Sequence, residues 1–406
     1  MDSTRASYGQ VALVDGGGFF PETDAQRDAA WFLMDAMKTL GTVAVGTSER
    51  ELRWGVAYLK TNVNRSGLPM ISSNLMEVTT RKPLLKPYVV EKIGRLKVGF
   101  FSLMSDKVDL GPARDSLKVD DPDAVARRTV DELHKKGATV IVLLSQLGKV
   151  ESEDLVAAVP GIDAVVCGHN VPLIQKGRMV KNTVTSYGGE QGQYVSRTLL
   201  TVDSKGKMTT GENESFILSP EVGEKPEIVA LVKNFEDALN KKLRDEEQKR
   251  AVNESTQNTQ ATDHFLGADL CIRCHASEGT QWKTTSHSLA WNTLVEVKKD
   301  ATPDCIPCHV VGYKQPGGFQ SGTDAARLGN VQCENCHGLG TRHEEFGKSL
   351  KVSDATCVTC HHGDNDPDFN WDKYHPKIAH SNTSGETIKN MKNKVNPNMM
   401  KSSGSN

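Results

Sequence analysis

The chain has 406 residues and a formal charge of −2, with 25% charged and 37% hydrophobic residues. That length allows two or three domains with a sizeable buried core. The near-neutral balance gives no footing for nucleic acid or an anionic membrane surface, and no apolar run approaches the roughly 18 residues a membrane helix needs. The opening stretch, MDSTRASYGQ, lacks the basic-then-apolar order of an export signal.

Residues 8–220 alternate short apolar runs with amphipathic segments. VALV (11–14), ATVIVLLS (138–145) and DAVVCG (163–168) predict buried strands. AVARRTVDELHKKG (124–137) predicts a helix stopped by Gly137, with His134 on its solvated face beside lysines. Strand, helix, strand is the order of an α/β domain. Further on, EKPEIVALVKNFEDALNKKLRDEEQKR (224–250) predicts an exposed helix laced with opposite charges. The polar, aperiodic AVNESTQNTQATD after it predicts a linker. The expected organisation is an α/β domain over 1–235, a charged helix end and linker over 236–262, a third region over 263–381, and a polar tail over 382–406.

Residues 263–381 are rich in Gly, His and Cys and poor in aliphatic side chains. Such a segment cannot bury enough apolar surface of its own to offset ordering entropy, so something else must supply its core. Eight of the nine cysteines lie here, in four five-residue units: CIRCH (271–275), CIPCH (305–309), CENCH (333–337) and CVTCH (357–361). Two cysteines three apart reach both vinyl groups of one porphyrin, and the histidine that follows lies beneath the iron. Zinc held by paired CxxC thiolates would leave the four adjoining histidines unexplained, and a disulfide framework has no need of them. The reading is four covalent c-type haems, attached at Cys271 and Cys274, Cys305 and Cys308, Cys333 and Cys336, and Cys357 and Cys360. The proximal ligands are then His275, His309, His337 and His361. Between 263 and 390 there is no methionine, while His264, His287, His343, His362, His375 and His380 remain available as sixth ligands. This composition points to bis-histidine, low-potential haems. The segment around His287, QWKTTSHSLAWNTL, predicts a helix with Trp282 and Leu289 able to pack on a ring.

FLGADLCIRCH, WKTTSHSLAWNTL, CIPCHVVGYKQPGGF, VQCENCHGLGTRH and CVTCHHGDNDPDFNWDKYHPKIAH together resemble the cytochrome c-554 family of tetrahaem cytochromes. That resemblance implies a mostly helical or irregular haem domain. It also implies distal ligation by His287, His343 and His380, with His264, His362 and His375 as further candidates. In the family the second haem is five-coordinate, which here would be the iron of His309. The earlier segments ALVDGGGFF, VGTSEREL, LPMISSNL, VIVLLSQLG, AVPGIDAVVCGHN and GRMVKNTVTSYGGEQGQYVSRTLLTVD resemble the 5′-nucleotidase/UDP-sugar hydrolase branch of metallophosphatases. The implied fold is a two-sheet sandwich flanked by helices. At the positions where active members hold two metals, this chain has Gly18, Thr47, Ser48, Gln146 and Val171, and only His169 keeps a ligand type. Lost phosphoesterase activity is therefore expected, with His169 as a hydrogen-bonded structural residue and Cys167 as a buried hydrophobe.

The functional expectation is an electron carrier rather than an enzyme, with the degenerate domain used for docking or assembly. Its partners would be other multihaem cytochromes, redox proteins or an extracellular acceptor, and a homo-oligomer or haem filament is conceivable. The alternative is a haem redox enzyme acting on hydroxylamine, nitrite or NO at one five-coordinate iron. Haem attachment to CxxCH follows export, so a periplasmic or extracellular location is expected, after removal of a signal absent from these residues.

Overall fold

The computed structural model describes residues 2–189, 192–255, 263–342 and 352–380. The chain forms two compact units, Met1–Val232 and Lys233–Asn406.

In the first unit the strands are β1 (Leu13–Asp15), β2 (Thr42–Val45), β3 (Leu75–Glu77), β4 (Tyr88–Ile93), β5 (Leu96–Met104), β6 (Leu117–Val119), β7 (Val140–Gln146), β8 (Ala164–Cys167), β9 (Met179–Val180), β10 (Thr183–Tyr187), β11 (Tyr194–Val202) and β12 (Met208–Ile217). A six-stranded sheet runs β4-β5-β7-β8-β10-β9, parallel from β5 to β10 and antiparallel at both edges. The two-residue period of its strands sorts their side chains onto two faces. Phe101, Leu103, Ile141, Leu143 and Val165 face a core covered by the helices Pro122–Lys135 and Lys149–Ala158. Phe100, Val142, Leu144 and Val184 point the other way and pack on β1, β2 and β11. A third core joins the helices Arg27–Thr39 and Gly55–Ser66 around Phe20, Met34, Leu52, Leu59 and Met70.

The strands expected from VALV, ATVIVLLS and DAVVCG form as β1, β7 and β8, and the helix expected over 124–137 spans Pro122–Lys135. Asp121 starts that helix by accepting the Ala124 N–H at 2.8 Å, with Pro122 at the first turn, where no amide donor is needed. His134 is exposed, and Cys167 is buried in the core, its thiol pushed up to about 12 by that burial.

The charged helix spans Pro226–Ser255 and so reaches into the polar stretch after residue 250. After this helix, the described residues of the second unit form short helices and turns. Its apolar cluster is small: Phe265, Trp291, Leu294, Ile306, Val310, Val311, Phe319 and Leu328, gathered about the second CxxCH motif. Much of the remaining order comes from buried polar groups. Glu334, inside CENCH, accepts the N–H groups of Leu266, Gly267 (2.8 Å) and Gly340 (2.7 Å). Gln332 accepts from Ala268 N and donates to the carbonyls of Arg327 and Gly329. The third CxxCH motif is thereby tied to the helix Ala268–Ile272 that opens the first. No helix among the described residues is long and apolar enough to cross a membrane.

Candidate haem centre and the loops after β1 and β2

Each CxxCH motif starts on or beside a short helix: Ala268–Ile272, Ile306–His309, Cys333–His337 and Asp354–Cys357. One helical turn puts the two cysteines and the histidine on adjacent positions around the axis. All eight cysteines are half-buried and unpaired by disulfides. The Cys271 thiol meets that of Cys333, and the Cys308 thiol meets that of Cys360. The motifs thus interleave, first with third and second with fourth.

An open cleft is lined by Cys271, His275, Cys333, His337, His287 and His380, with Trp282 among the apolar walls. Across it the His337 and His380 rings lie nearly parallel, at 19°, with centres 6.4 Å apart. A second pair, His287 and His361, has centres 6.1 Å apart at 44°. Two imidazoles on opposite sides of one metal, with bonds of about 2 Å and ring centres about 1.1 Å beyond each nitrogen, would have their centres about 6.2 Å apart. The donor set and this spacing fit an iron between the rings of each pair. Burial holds His287 and His337 below the ordinary imidazole range, which keeps the lone pair that a ligand must offer.

The His287 segment is not one continuous helix. Helix Ala276–Trp282 ends, a 3₁₀ turn spans Ser286–Leu289, and helix Ala290–Glu296 follows. Threonine hydroxyls at 284 and 285 take the carbonyls of Gln281 and Trp282, competing with continuation of the helix. The His287 carbonyl accepts Val331 N–H at 3.1 Å, and the Trp282 indole donates to Val331 O at 2.8 Å, which fixes this turn against the third motif. Leu289 is exposed.

Among the other histidines, His375 lies flat on Trp371, with ring centres 4.2 Å apart, and His264 and His362 are exposed. His343 lies outside the described residues. Two orienting groups have no counterpart in the motif reading. His309 Nδ1 is 2.5 Å from the Ala290 carbonyl, and His361 Nδ1 is 2.7 Å from Asp366 Oδ2. A carbonyl can only accept, so His309 carries its proton on Nδ1 and leaves Nε2 as the ligating atom. The pairs between the cysteines, which spacing alone leaves free to vary, include two tied positions. Glu334 holds three backbone amides, and Asn335 donates to Val310 O at 2.9 Å.

In the first unit the loops after β1 and β2 meet, so closely that a side chain at Gly46 would strike the Gly16 carbonyl. Where a dinuclear site would lie, Glu51 is fully buried. Its Oε1 accepts Phe19 N (2.8 Å) and Phe20 N (3.3 Å), and its Oε2 accepts Gly18 N (3.1 Å), Ser48 N (2.8 Å) and Ser48 Oγ–H (2.9 Å). Burial pushes its pKa up, against the pull of these donors. Thr47 donates to Ile71 O, and Gln146 Nε2 donates to Gly16 O at 2.9 Å. Val171 is buried, and His169 Nδ1 stands 3.4 Å from Glu49 Oε1. No cluster of three or more His, Cys, Asp or Glu suited to a metal occurs here among the described residues. The side chains present do not fit a dinuclear centre.

The first unit thus has a fold like that of metallophosphoesterases, and the second carries a segment similar to c-type cytochromes. Residues 270–338 match the family model "Cytochrome c554 and c-prime", whose name implies covalently bound c-type haem. Cytochrome c-554 of Nitrosomonas europaea is 32% identical over 118 residues, covering 24% of this chain and 50% of that one. The 2′,3′-cyclic-nucleotide 2′-phosphodiesterase/3′-nucleotidase of Haemophilus influenzae is 26% identical over 289 residues, covering 58% of this chain and 44% of that one. Among solved structures, a 5′-nucleotidase precursor from Thermus thermophilus superposes with a TM-score of 0.53 at 22% identity, over 59% of this chain and 51% of that chain, a likeness of fold. The chain spans half or less of the length of each of these relatives' sequences.

Proposed function

We propose that this protein is a multihaem cytochrome relaying electrons among four covalently held, mainly bis-histidine haems, one at each CxxCH motif. The observation that carries this reading is the two pairs of imidazoles whose ring centres stand 6.1 and 6.4 Å apart, a separation that suits an iron between them. In it, His361 and His337 would be proximal ligands with His287 and His380 as their distal candidates, and His275 and His309 would be the remaining proximal ligands. Family likeness assigns His343 to one of those two irons. When bound, such haems supply one-electron exchange at low potential, as imidazole ligation without methionine favours. The chain's own residues bind and orient: thiols give the thioethers, burial keeps His287 and His337 neutral, and the Ala290 carbonyl sets the tautomer of His309.

The first unit is proposed to have exchanged catalysis for docking or assembly, its loops now joined by Glu51 and Gln146 instead of metals. Location in the periplasm or outside the cell follows from the chemistry of attachment, and the partners are other redox proteins or an extracellular acceptor. The test is haem content, EPR and potentiometric titration on the full chain matured by an export and attachment system, with phosphoesterase assays in added Mn²⁺ or Zn²⁺. The expected result is four low-spin haems at low potential and no hydrolysis. Zinc at the thiols, or a colourless product, would end the reading. A high-spin component that binds CO or NO would move it to an enzyme acting on hydroxylamine, nitrite or NO.

A further inference from the structure

Two CxxCH histidines use the same ring nitrogen in different ways. His309 turns Nδ1 to a neutral carbonyl, and His361 turns it to a carboxylate, Asp366 Oδ2, at 2.7 Å. The segment after the fourth motif is built to make this contact. A 3₁₀ turn over Gly363–Asn365 reverses the chain, with Asn365 N–H donating to His362 O, and brings Asp366 back beneath the ring. The carboxylate is largely shielded, its side chain 17% exposed. Its other oxygen accepts the Tyr374 hydroxyl at 3.3 Å. Phe369 stacks on the His361 ring at 5.3 Å and 22°, and Tyr374 meets the ring edge-on at 5.6 Å. With Nδ1 so engaged, Nε2 is the atom left for a metal, and His287 faces the ring from 6.1 Å.

A carboxylate hydrogen-bonded to a ligating imidazole makes that imidazole a stronger donor and adds a fixed negative charge to the site. Both effects favour the oxidised metal, which carries the greater positive charge. We propose that Asp366 is a positioning residue that lowers the reduction potential of the haem attached at Cys357 and Cys360, setting it apart from the haem of His309. This inference rests on the haem reading above.

The experiment is spectroelectrochemical titration with EPR on the haem-loaded full chain, comparing wild type with Asp366→Asn, Asp366→Glu and Tyr374→Phe. Asp366→Asn is expected to move one couple positive, so that the reduced-to-oxidised ratio at its former midpoint rises about tenfold, which is about 59 mV for one electron. Haem content, spin state and the other couples stay in place. Asp366→Glu holds the couple near its wild-type value, and Tyr374→Phe, which frees a carboxylate lone pair, moves it negative. Should Asp366→Asn fail to load haem, these last two decide the matter. A fully loaded variant whose couples all stay at wild-type values, or all move together, overturns the role of Asp366. A wild-type protein without c-type haem would instead overturn the reading beneath it.

Discussion

Glu51→Gln is the sharpest perturbation of the first unit, because it changes charge and donor pattern with almost no change of shape. Five donors converge on the carboxylate, two on Oε1 and three on Oε2. A glutamine can place its carbonyl on the Oε2 side and keep three of these bonds. Its amide nitrogen then faces the N–H groups of Phe19 and Phe20, donor against donor. Two hydrogen bonds to a charged group, each about 1.5–3 kcal/mol, are lost, and the neutral amide recovers part of the cost of burying a charge. The net loss is about 2–4 kcal/mol, or roughly 2–4 °C per kcal/mol for a unit of this size. The assay is urea and thermal unfolding of the full chain by far-UV circular dichroism, with haem absorbance reporting separately on the second unit. A variant within about 0.5 kcal/mol of wild type, the range of an ordinary surface change, would show that the loops after β1 and β2 do not depend on this carboxylate.

Glu334→Ala removes the acceptor of three backbone amides in the second unit, two of them buried, and is expected to cost about 3–5 kcal/mol, read as an earlier shift of the Soret band in a urea titration. His287→Ala and His380→Ala should each convert one low-spin haem to high-spin, read by EPR, with the remaining haems unchanged. Partial burial pushes the Glu153 carboxyl up, yet the Tyr187 hydroxyl, Arg178 and Lys149 outweigh it and hold the group below the ordinary range. A lowered acid stabilises the fold above its unfolded pKa of about 4.3, and that support is lost as pH falls through the folded value. Glu153→Gln should therefore be less stable at pH 7 and show a shallower fall in Tm on acidification, measured by calorimetry from pH 7 to pH 3.

The parts of this molecule that were legible in sequence are those whose physics is local. A CxxCH motif needs only one helical turn, and an apolar run such as VIVLL declares a buried strand by itself. Gly18, Thr47, Ser48, Gln146 and Val171 stood out as departures from a metallophosphatase pattern because each lies within a short motif. What escaped was the use of acidic side chains across long loops. Glu51, Glu334 and Asp366 are single carboxylates in polar surroundings, and nothing in spacing separates them from solvated charges until the chain folds amides or an imidazole onto them. The break at Thr284 and Thr285 was hidden for a related reason. Their hydroxyls take carbonyls that a longer helix would use, an outcome that apolar periodicity does not register.

The pairing of His287 with His361 has a consequence for how the second unit came together. On the proposed ligation, an imidazole from between the first two CxxCH motifs would serve the fourth, so the motifs would not be beads that could be added or deleted one at a time. Deleting the stretch that carries His287 would then leave the iron at His361 without its partner. Such a unit would arise, be inherited and be lost as a whole, and its maturation would reach completion only when the final attachment closes the loop back to its beginning.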